Sequence, residues 1–201
     1  MIAFLDIDTS SPYKIFKENY DYALSCNQDA IEAISISSYN NISCEVSSRY
    51  VNLKYIKNQE WIFFSNYNSK KNIDFSSHNQ ISGLFYWNKI DLQIRIKAKI
   101  CKTSSKFSDE HFISRSNSKN ALAISSNQSE KVSSYNQVQK KYLETLNSLT
   151  KNNLIQRPHY WGGFSFTPYY FEFWNGHKDR INKRNVFEFD GSNWKSYFLE
   201  P

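Results

Sequence analysis

Four polar residues between positions 49 and 71 have the types and the spacing of an anion-binding site. Arg49 lies in an alternating segment, and Ser69 directly precedes Lys70 and Lys71. A helix that begins after Ser69 points free backbone N–H groups and its positive end at an anion, and two ammonium groups strengthen that attraction. The Arg49 guanidinium can bind the same anion through two hydrogen bonds. The stretch predicts a phosphate site for a bound cofactor, and the open alternative is a solvated basic hairpin edge.

Two strands and a turn must position these cations. The alternation over Arg49–Ile56 predicts a strand with Arg49 among apolar side chains on one face. The polar segment 57–60 is typical of a turn, and the aromatic segment Trp61–Asn66 predicts the next strand. A short helix over Ser69–Ser77 follows and carries the two lysines in its first turn.

Further strands and helices are predicted along the rest of the chain. The strands are Ala30–Ser38, Ile42–Ile56, Gln80–Trp87, Leu92–Lys102, Phe164–Trp174, Arg180–Phe189 and Trp194–Leu199. The helices are Ser10–Asn27, Ser108–Arg115, Ser118–Ser126 and Ser133–Lys151. We expect a single α+β domain over residues 1–201, mainly antiparallel β, in which a helical segment 1–28 precedes a closed or nearly closed barrel with inserted helices over 29–201.

Composition favours an ordered, sheet-rich protein with a small anionic ligand. The 201 residues include 15 Phe, 14 Tyr and 5 Trp but only 5 Gly and 4 Pro, and the length suits one domain with a sizeable core. The net charge is +6, yet Lys and Arg are scattered singly or in pairs rather than in a dense stripe. We therefore expect no nucleic acid partner.

The cysteines and the N-terminus bear on the compartment. Cys26, Cys44 and Cys101 are odd in number and far apart, which favours a reducing compartment over a disulfide framework or a metal site. The histidines have no metal-like spacing, so we expect no metal. The first residues lack the pattern of a signal peptide, and no apolar run approaches bilayer length. We expect a cytoplasmic protein without a membrane partner.

The sequence resembles the pyridoxamine 5′-phosphate oxidase family from about Ala30 to Pro201. Its motifs stand in the family's order and spacing: RYVNLK at Arg49–Lys54, FFSNYNSKK at Phe63–Lys71, LFYW at Leu84–Trp87, LQIRI at Leu92–Ile96, SDEHFISR at Ser108–Arg115, QS at Gln128–Ser129, WGGF at Trp161–Phe164, EFWNG at Glu172–Gly176, the segment Arg180–Arg184 and the final Leu-Glu-Pro. The resemblance implies an FMN-binding split β-barrel with peripheral helices, as a homodimer with FMN at the subunit interface.

The resemblance also implies the residues that bind FMN. Those of one subunit would be Arg49, Tyr50, Val51, Leu53, Lys54, Phe64, Ser65, Lys70, Lys71 and Gln93. The partner would supply Gln128, Ser129, Trp174 and Arg184. The residue types agree with this, because glutamine amides both donate and accept at a polar flavin edge and tryptophan offers a flat apolar wall. The family has Arg at position 70. Lys70 keeps the positive charge of that residue but lacks its planar, forked guanidinium.

The implied reaction is oxidation of pyridoxamine or pyridoxine 5′-phosphate to pyridoxal 5′-phosphate, a step of pyridoxal phosphate biosynthesis. A hydride leaves the exocyclic carbon for FMN, and O₂ is reduced to H₂O₂; the cofactor performs the chemistry while the protein positions. The implied substrate contacts are Lys54, His111, Arg115, Lys119, Arg180 and Asn182, and the last two are the residues we assign nearest to the chemistry.

Three substrate positions depart from the family. His111 stands where the family has Tyr, Lys119 where it has Ser, and Asn182 where it has His. The family's N-terminal segment that covers the substrate is expected to be missing or reduced. These departures keep two alternatives open: a related FMN oxidase that acts on another aromatic ring compound, as in phenazine-type secondary metabolism, and a non-enzymatic FMN-binding protein.

Overall fold

The structure is a computed structural model that describes residues 1–152 and 156–201. Its helices are α1 Ser11–Ser25, α2 Lys70–Ser77, α3 Ser105–Ser114, α4 Asn117–Ser125 and α5 Tyr135–Asn152. Its strands are β1 Ala3–Leu5, β2 Ala33–Asn40, β3 Glu45–Asn52, β4 Tyr55–Lys57, β5 Glu60–Asn66, β6 Gln80–Trp87, β7 Leu92–Lys102, β8 Trp161–Asn175, β9 Lys183–Phe189 and β10 Trp194–Leu199. The expected α+β class with a mainly antiparallel sheet is confirmed. None of the helices described combines the length and the apolar character needed to cross a bilayer.

The long strand β8 organises the sheet, whose order is β1-β4-β5-β8-β7-β6-β2-β3. Along one edge β8 pairs with β7 over its length; along the other, β5 pairs with Trp161–Phe166 and β9 with Tyr170–Asn175. A bulge opposite Lys97 and Ala98 separates these halves, and Pro168 lies there because it has no N–H to contribute to a ladder. The single β8 strand thus joins two sheet arms, as in a split barrel.

Helix α1 packs onto an aromatic core. Phe16 of α1 contacts Trp61 of β5 with ring centroids 4.4 Å apart, and Tyr13 contacts Phe171 of β8 at 5.3 Å. Trp61, Phe16 and Phe171 are fully buried. Truncating such an aromatic side chain costs about 3–5 kcal/mol. The N-terminal helix is therefore part of the same core as the sheet.

Three local features differ from the sequence-based expectation. The strand predicted over Ile42–Ile56 is two strands, because Leu53 N–H donates to Glu32 while Lys54 N–H donates to Ile62. The chain changes hydrogen-bond partner there and bends. Helix α3 is capped by Ser104, whose Oγ accepts from Phe107 N–H, and Ser108 lies buried inside it. The short strand β1, which pairs in parallel with β4, was not predicted.

Candidate functional site

A cleft of about 560 Å³ opens between β3, β5, the start of α2 and the α3–α4 region. Residues predicted from four separate motifs meet there. Its lining comprises Arg49, Tyr50, Val51, Asn52, Lys54, Phe64, Ser65, Lys70, Lys71, His111, Arg115, Lys119, Gln128, Ser129 and Trp161. The fold therefore brings together most of the predicted cofactor residues and four of the predicted substrate residues.

Lys71 is a buried cation paired with neutral oxygens. Its Nζ donates to the hydroxyls of Ser65 and Ser69, each at 2.9 Å, and its side chain is 7% exposed. Burial, and then the charge of Arg49, lowers the pKa of this ammonium to about 8. Within the described ranges Lys71 has no carboxylate partner. A bound anion would compensate the burial of this charge.

Arg49 is held by Asp74 rather than left free on the strand. Its Nη2 lies 3.3 Å from Oδ2 of Asp74, and its Nη1 donates to Ser38 Oγ at 2.6 Å. Asp74 itself is buried and accepts from Ser38 and Asn40. The guanidinium is thereby fixed at the wall of the cleft, next to Lys71.

Ser69 occupies the N-cap position of α2, as predicted, but its hydroxyl does not cap the helix. The Oγ atom donates to Asn66 O at 2.7 Å and accepts from Lys71. The hydroxyl is therefore used to hold the lysine ammonium. Lys70, in the first turn, is exposed at the cleft.

Lys54 stands at the bend between β3 and β4, opposite helix α3. The bend turns its side chain into the cleft that His111 and Arg115 line from α3 and its C-cap. Burial, followed by the charges of Arg115, Lys54 and Lys119, lowers the pKa of His111 to about 4. The imidazole is therefore neutral near pH 7, surrounded by three cations.

The His111 ring is held by aromatic side chains. Phe64 stacks on it with centroids 3.7 Å apart and planes 14° apart, and Trp161 lies parallel at 6.3 Å. The Tyr55 hydroxyl lies 2.9 Å from Nδ1 of His111. Tyr55 and Trp161 were not predicted as site residues. The available signals were that Tyr55 directly follows Lys54 and that Trp161 opens the WGGF motif.

Arg115 lies over Trp161, with Cζ 4.3 Å from the ring centroid. Its Nη2 donates to Lys119 O at 2.8 Å, whereas its buried Nη1 has no acceptor among the described residues. Burial lowers the pKa of this guanidinium to about 10. A cation stacked on an aromatic face at the cleft wall favours an anionic ligand.

Arg157 ties α3 to the start of β8. Its Nε donates to Asp109 at 2.6 Å, its Nη2 donates to Ser105 at 2.8 Å, and its Nη1 donates to Trp161 O. Ser108 of α3 also accepts from Gly163 N–H at 3.1 Å. A Cβ at Gly163 would clash with Thr103, so glycine permits the close approach of Thr103 to this strand. These contacts fix α3, and hence His111, against the strand.

Gln128 and Ser129 line the same chain's cleft, although the resemblance implied that the partner supplies them. Oε1 of Gln128 accepts from Ser65 Oγ at 3.2 Å, and the chain after α4 turns back over β5. Ser129 has φ of 77°, so the chain makes a tight turn there. Within one chain the segment therefore lies against its own sheet, and the partner origin of the Gln128 and Ser129 that contact FMN stays a prediction.

Six predicted residues lie outside the lining of this cleft. They are Leu53, Gln93, Trp174, Arg180, Asn182 and Arg184. Leu53 is fully buried in the core below β3. Arg180 is exposed in the turn before β9, where Asn182 Oδ1 accepts from His177 N–H at 3.0 Å. The register pairs Gln93 with Trp174 and Trp174 with Arg184, so these three share one outward row of the sheet.

A buried carboxylate stabilises that outward row. Glu172 is 1% exposed and accepts from Arg95 Nη1 and Arg184 Nε, each at 2.8 Å, and from the Tyr170 hydroxyl at 3.0 Å. Burial raises its pKa, but the hydrogen bonds from Arg184 and Tyr170 and the charge of Arg95 outweigh this, so the pKa is lowered. The ion pairs orient Arg184. Phe173 faces the core while the neighbouring Trp174 is half-buried on the outer face, as the alternation predicts.

Across the parts of the chain that the structure covers, no group of three or more His, Cys, Asp or Glu side chains is arranged to hold a metal ion.

Comparison with known proteins places this geometry in a family. Residues 161–201 match the family described as "Pyridoxine 5'-phosphate oxidase C-terminal dimerisation region". A pyridoxine/pyridoxamine 5'-phosphate oxidase of Colwellia psychrerythraea is 32% identical over 192 residues, covering 96% of this chain and 88% of that protein. The enzyme of the same name from Cytophaga hutchinsonii is 32% identical over 193 residues, covering 95% of this chain and 89% of that protein.

Two solved structures share the fold. PhzG from Burkholderia lata, solved in complex with tetrahydrophenazine-1-carboxylic acid, superposes with a TM-score of 0.89 at 25% identity and covers 96% of this chain and 93% of its own. A pyridoxamine 5'-phosphate oxidase-related, FMN-binding protein from Nostoc punctiforme superposes with a TM-score of 0.76 at 10% identity, covering 96% of this chain and 99% of its own. These likenesses confirm the predicted split-barrel fold. Together with the identity to the curated oxidases over nearly the whole chain, they show that this protein belongs to the pyridoxine/pyridoxamine 5′-phosphate oxidase family of oxidoreductases.

Proposed function

We propose that this protein is an FMN-dependent oxidase that converts pyridoxamine or pyridoxine 5′-phosphate to pyridoxal 5′-phosphate, with O₂ as oxidant and H₂O₂ as product. The observation that carries the proposal is one cleft with two groups of cations. Arg49, Lys70 and Lys71 form the first group, and Lys54, Arg115 and Lys119 surround His111 in the second. The cofactor and the substrate of such a reaction each carry a phosphate.

The residues of the first group fit the phosphate of FMN. The buried Lys71 ammonium is hydrogen-bonded only to hydroxyls in the described chain, and Asp74 fixes the neighbouring Arg49. A phosphate dianion supplies the missing charge, and charge-assisted hydrogen bonds to it are strong. Gln128, fixed by Ser65, offers an amide that both donates and accepts at a polar ring edge.

FMN, when bound, supplies a two-electron acceptor that takes a hydride from the substrate's exocyclic carbon and returns the electrons to O₂. The protein's own contribution is binding and orientation. Lys54, Arg115 and Lys119 attract the substrate phosphate, and Phe64 and Trp161 supply an apolar wall. We assign substrate contacts to these cations, His111, Arg180 and Asn182.

The arrangement of the outward row supports a homodimer. Gln93, Trp174 and Arg184 share that row, and the matched family is described as a dimerisation region. Leu84 and Tyr86 on the same face are 38% and 58% exposed. A second copy packed on this face would cover these apolar side chains. We propose that it also brings Trp174, Arg184, Arg180 and Asn182 to the partner's cleft, and that Gln93 contributes from the same row.

A second candidate is a related FMN oxidase that acts on another ring compound. PhzG, with a TM-score of 0.89, was solved with a reduced phenazine carboxylate, which is also an anionic ring compound. This candidate is favoured by the three departures from the family at substrate positions, which are His111, Lys119 and Asn182.

An anaerobic titration separates the two candidates. FMN-loaded protein is titrated with pyridoxamine phosphate, pyridoxine phosphate or a reduced phenazine carboxylate while the flavin absorbance is followed. Bleaching by a B6 phosphate, with equimolar peroxide on readmission of O₂, is the expected result. Bleaching by the phenazine compound alone transfers the assignment to the second candidate.

A further inference from the structure

We propose that Tyr55 is a positioning residue that holds His111 as the Nε2–H tautomer, so that the imidazole donates a hydrogen bond to an anionic oxygen of the substrate. This deepens the proposed function, on which it rests, by naming what the histidine recognises. The oxygen belongs either to a phosphate ester or to a carboxylate, because both present the same acceptor.

The orientation of the imidazole is fixed by two contacts at right angles. Phe64 stacks on the ring at 3.7 Å and 14°, which sets its plane. Tyr55 meets the ring edge-on, with centroids 5.4 Å apart and planes 85° apart, and its hydroxyl reaches Nδ1 at 2.9 Å. These two contacts fix the plane of the ring and its rotation within that plane. The second nitrogen, Nε2, therefore points away from Tyr55 in a fixed direction. His111 lines the cleft, and we assign Nε2 as the nitrogen that meets the ligand there.

In this proposal the phenol is the donor in the 2.9 Å hydrogen bond between Tyr55 and His111. Burial raises the pKa of Tyr55, so the hydroxyl keeps its proton. The imidazole is neutral, because its pKa is lowered to about 4, and a neutral ring carries one proton only. When Nδ1 accepts from Tyr55, that proton is on Nε2.

The surrounding charges select this tautomer once an anion is bound. Arg115, Lys54 and Lys119 all act on the ring, and each attracts a negatively charged group to the same part of the cleft. A bare Nε2 would place a lone pair against the anion, whereas Nε2–H adds a donor. The guanidinium of Arg115, which lines the same cleft, supplies a further positive charge for the same group.

The first test is the Tyr55→Phe variant of the FMN-loaded protein. The ring keeps its contacts with Phe64 and Phe107, so the fold and the FMN content should not change. We expect KM for pyridoxamine phosphate to rise about tenfold while kcat stays within about twofold. Tyr22→Phe, an exposed tyrosine of α1, is the matched control and should change neither value.

A double-mutant cycle separates positioning from packing. If Tyr55 acts through His111, Tyr55→Phe should not change KM further in a His111→Phe background. An equal loss in both backgrounds would overturn the proposal, as would an unchanged KM in the single variant.

The second test does not need turnover, so it is independent of the proposed reaction. Imidazole ¹⁵N NMR of the FMN-loaded protein should show Nε2 protonated and Nδ1 bare, and inorganic phosphate or benzoate should shift Nε2. Tyr55→Phe should lower the affinity for the anion that binds by about tenfold. A stronger response to phosphate indicates a phosphate ester, and a stronger response to benzoate indicates a carboxylate. An Nδ1–H tautomer in the wild type, or no response of the ring to either anion, contradicts the proposal.

Discussion

Asp74 of α2 holds Arg49 of β3 through a 3.3 Å contact between Oδ2 and Nη2, across 25 residues of sequence. Asp74 is 6% exposed, and its carboxylate also accepts from Ser38 and Asn40. One buried carboxylate thus joins the strand and the helix that carry the predicted phosphate-binding cations. The geometry of the phosphate site depends on a residue that is itself not expected to touch the phosphate.

Asp74→Asn should destabilise the protein. The carboxylate accepts hydrogen bonds from Ser38, Asn40 and Arg49, and an amide nitrogen in place of one oxygen cannot accept. We expect a loss of about 1–3 kcal/mol in the free energy of unfolding of the flavin-free protein. Urea unfolding measures it. Asp21→Asn removes an exposed carboxylate that pairs with Lys17 on α1, and it should stay within about 0.5 kcal/mol. Equal stability of the two variants would show that Asp74 is not a structural anchor.

Removing both Arg49 and Lys71 should give colourless protein. Each lost charge-assisted contact to the FMN phosphate should cost about 1.5–3 kcal/mol of binding free energy, so the double alanine variant should not retain FMN through purification. Flavin absorbance per protein measures the outcome. Lys140→Ala with Lys141→Ala removes the same charge from exposed positions of α5 and should remain yellow. Near-wild-type affinity in the Arg49 and Lys71 variant would refute the cofactor site.

FMN affinity should fall as the pH rises above about 8. The pKa of Lys71 is lowered from 10.5 to about 8 in the folded protein, mainly by burial. Above that pH the flavin-free protein has lost the charge, so binding of the phosphate requires proton uptake and should weaken by up to about tenfold per pH unit. Fluorescence titration of FMN between pH 7 and 10 measures the slope. Lys71→Met should bind more weakly but without this slope.

The same shift affects stability in the opposite direction. Between about pH 8 and 10.5 the unfolded chain binds more protons at Lys71 than the folded chain, so this group's contribution to the free energy of unfolding rises with pH in the flavin-free protein. Urea unfolding of the wild type and of Lys71→Met at several pH values across that window measures this contribution as the difference in the pH dependence of the free energy of unfolding.

Restoring the family residues at the three departures distinguishes the two proposed substrate classes. We expect the combined variant His111→Tyr, Lys119→Ser and Asn182→His to lower KM or raise kcat for pyridoxamine phosphate by at least a few-fold if the chain acts on another ring compound. Steady-state peroxide release measures it. An unchanged or lower activity in this variant argues that the native residues already suit a B6 phosphate.

A charge on the outward sheet face should break the proposed dimer. Leu84 is 38% exposed and stands beside Arg95 in the β6–β7 register, so Leu84→Arg places two cations side by side on the face that we assign to the partner. We expect a monomer with weakened FMN binding, as judged by light scattering after size exclusion. Leu24→Arg on α1, where leucine is 40% exposed, should stay dimeric. A dimeric Leu84→Arg protein places the interface elsewhere.

Local sequence pattern determined much of this protein. The apolar run Gln80–Trp87 predicted β6, and the alternation of Leu92–Lys102 predicted β7, both with the observed bounds. The run was expected to be a buried strand, but every second side chain of β6 is exposed. The residue types and spacing of Arg49, Lys70 and Lys71 indicated an anion site without any knowledge of the fold. The family motifs then indicated the cofactor and the substrate positions.

Only the tertiary structure decided which residues act on one another. Tyr55 reaches His111 across 56 positions, and Gln128 returns to its own chain's Ser65 across 63. Ser108, at the predicted start of α3, is instead buried inside that helix and accepts a hydrogen bond from Gly163 N–H. Such contacts depend on the burial of aromatic surface and on the pairing of buried polar groups. Local periodicity in the sequence does not show either of these.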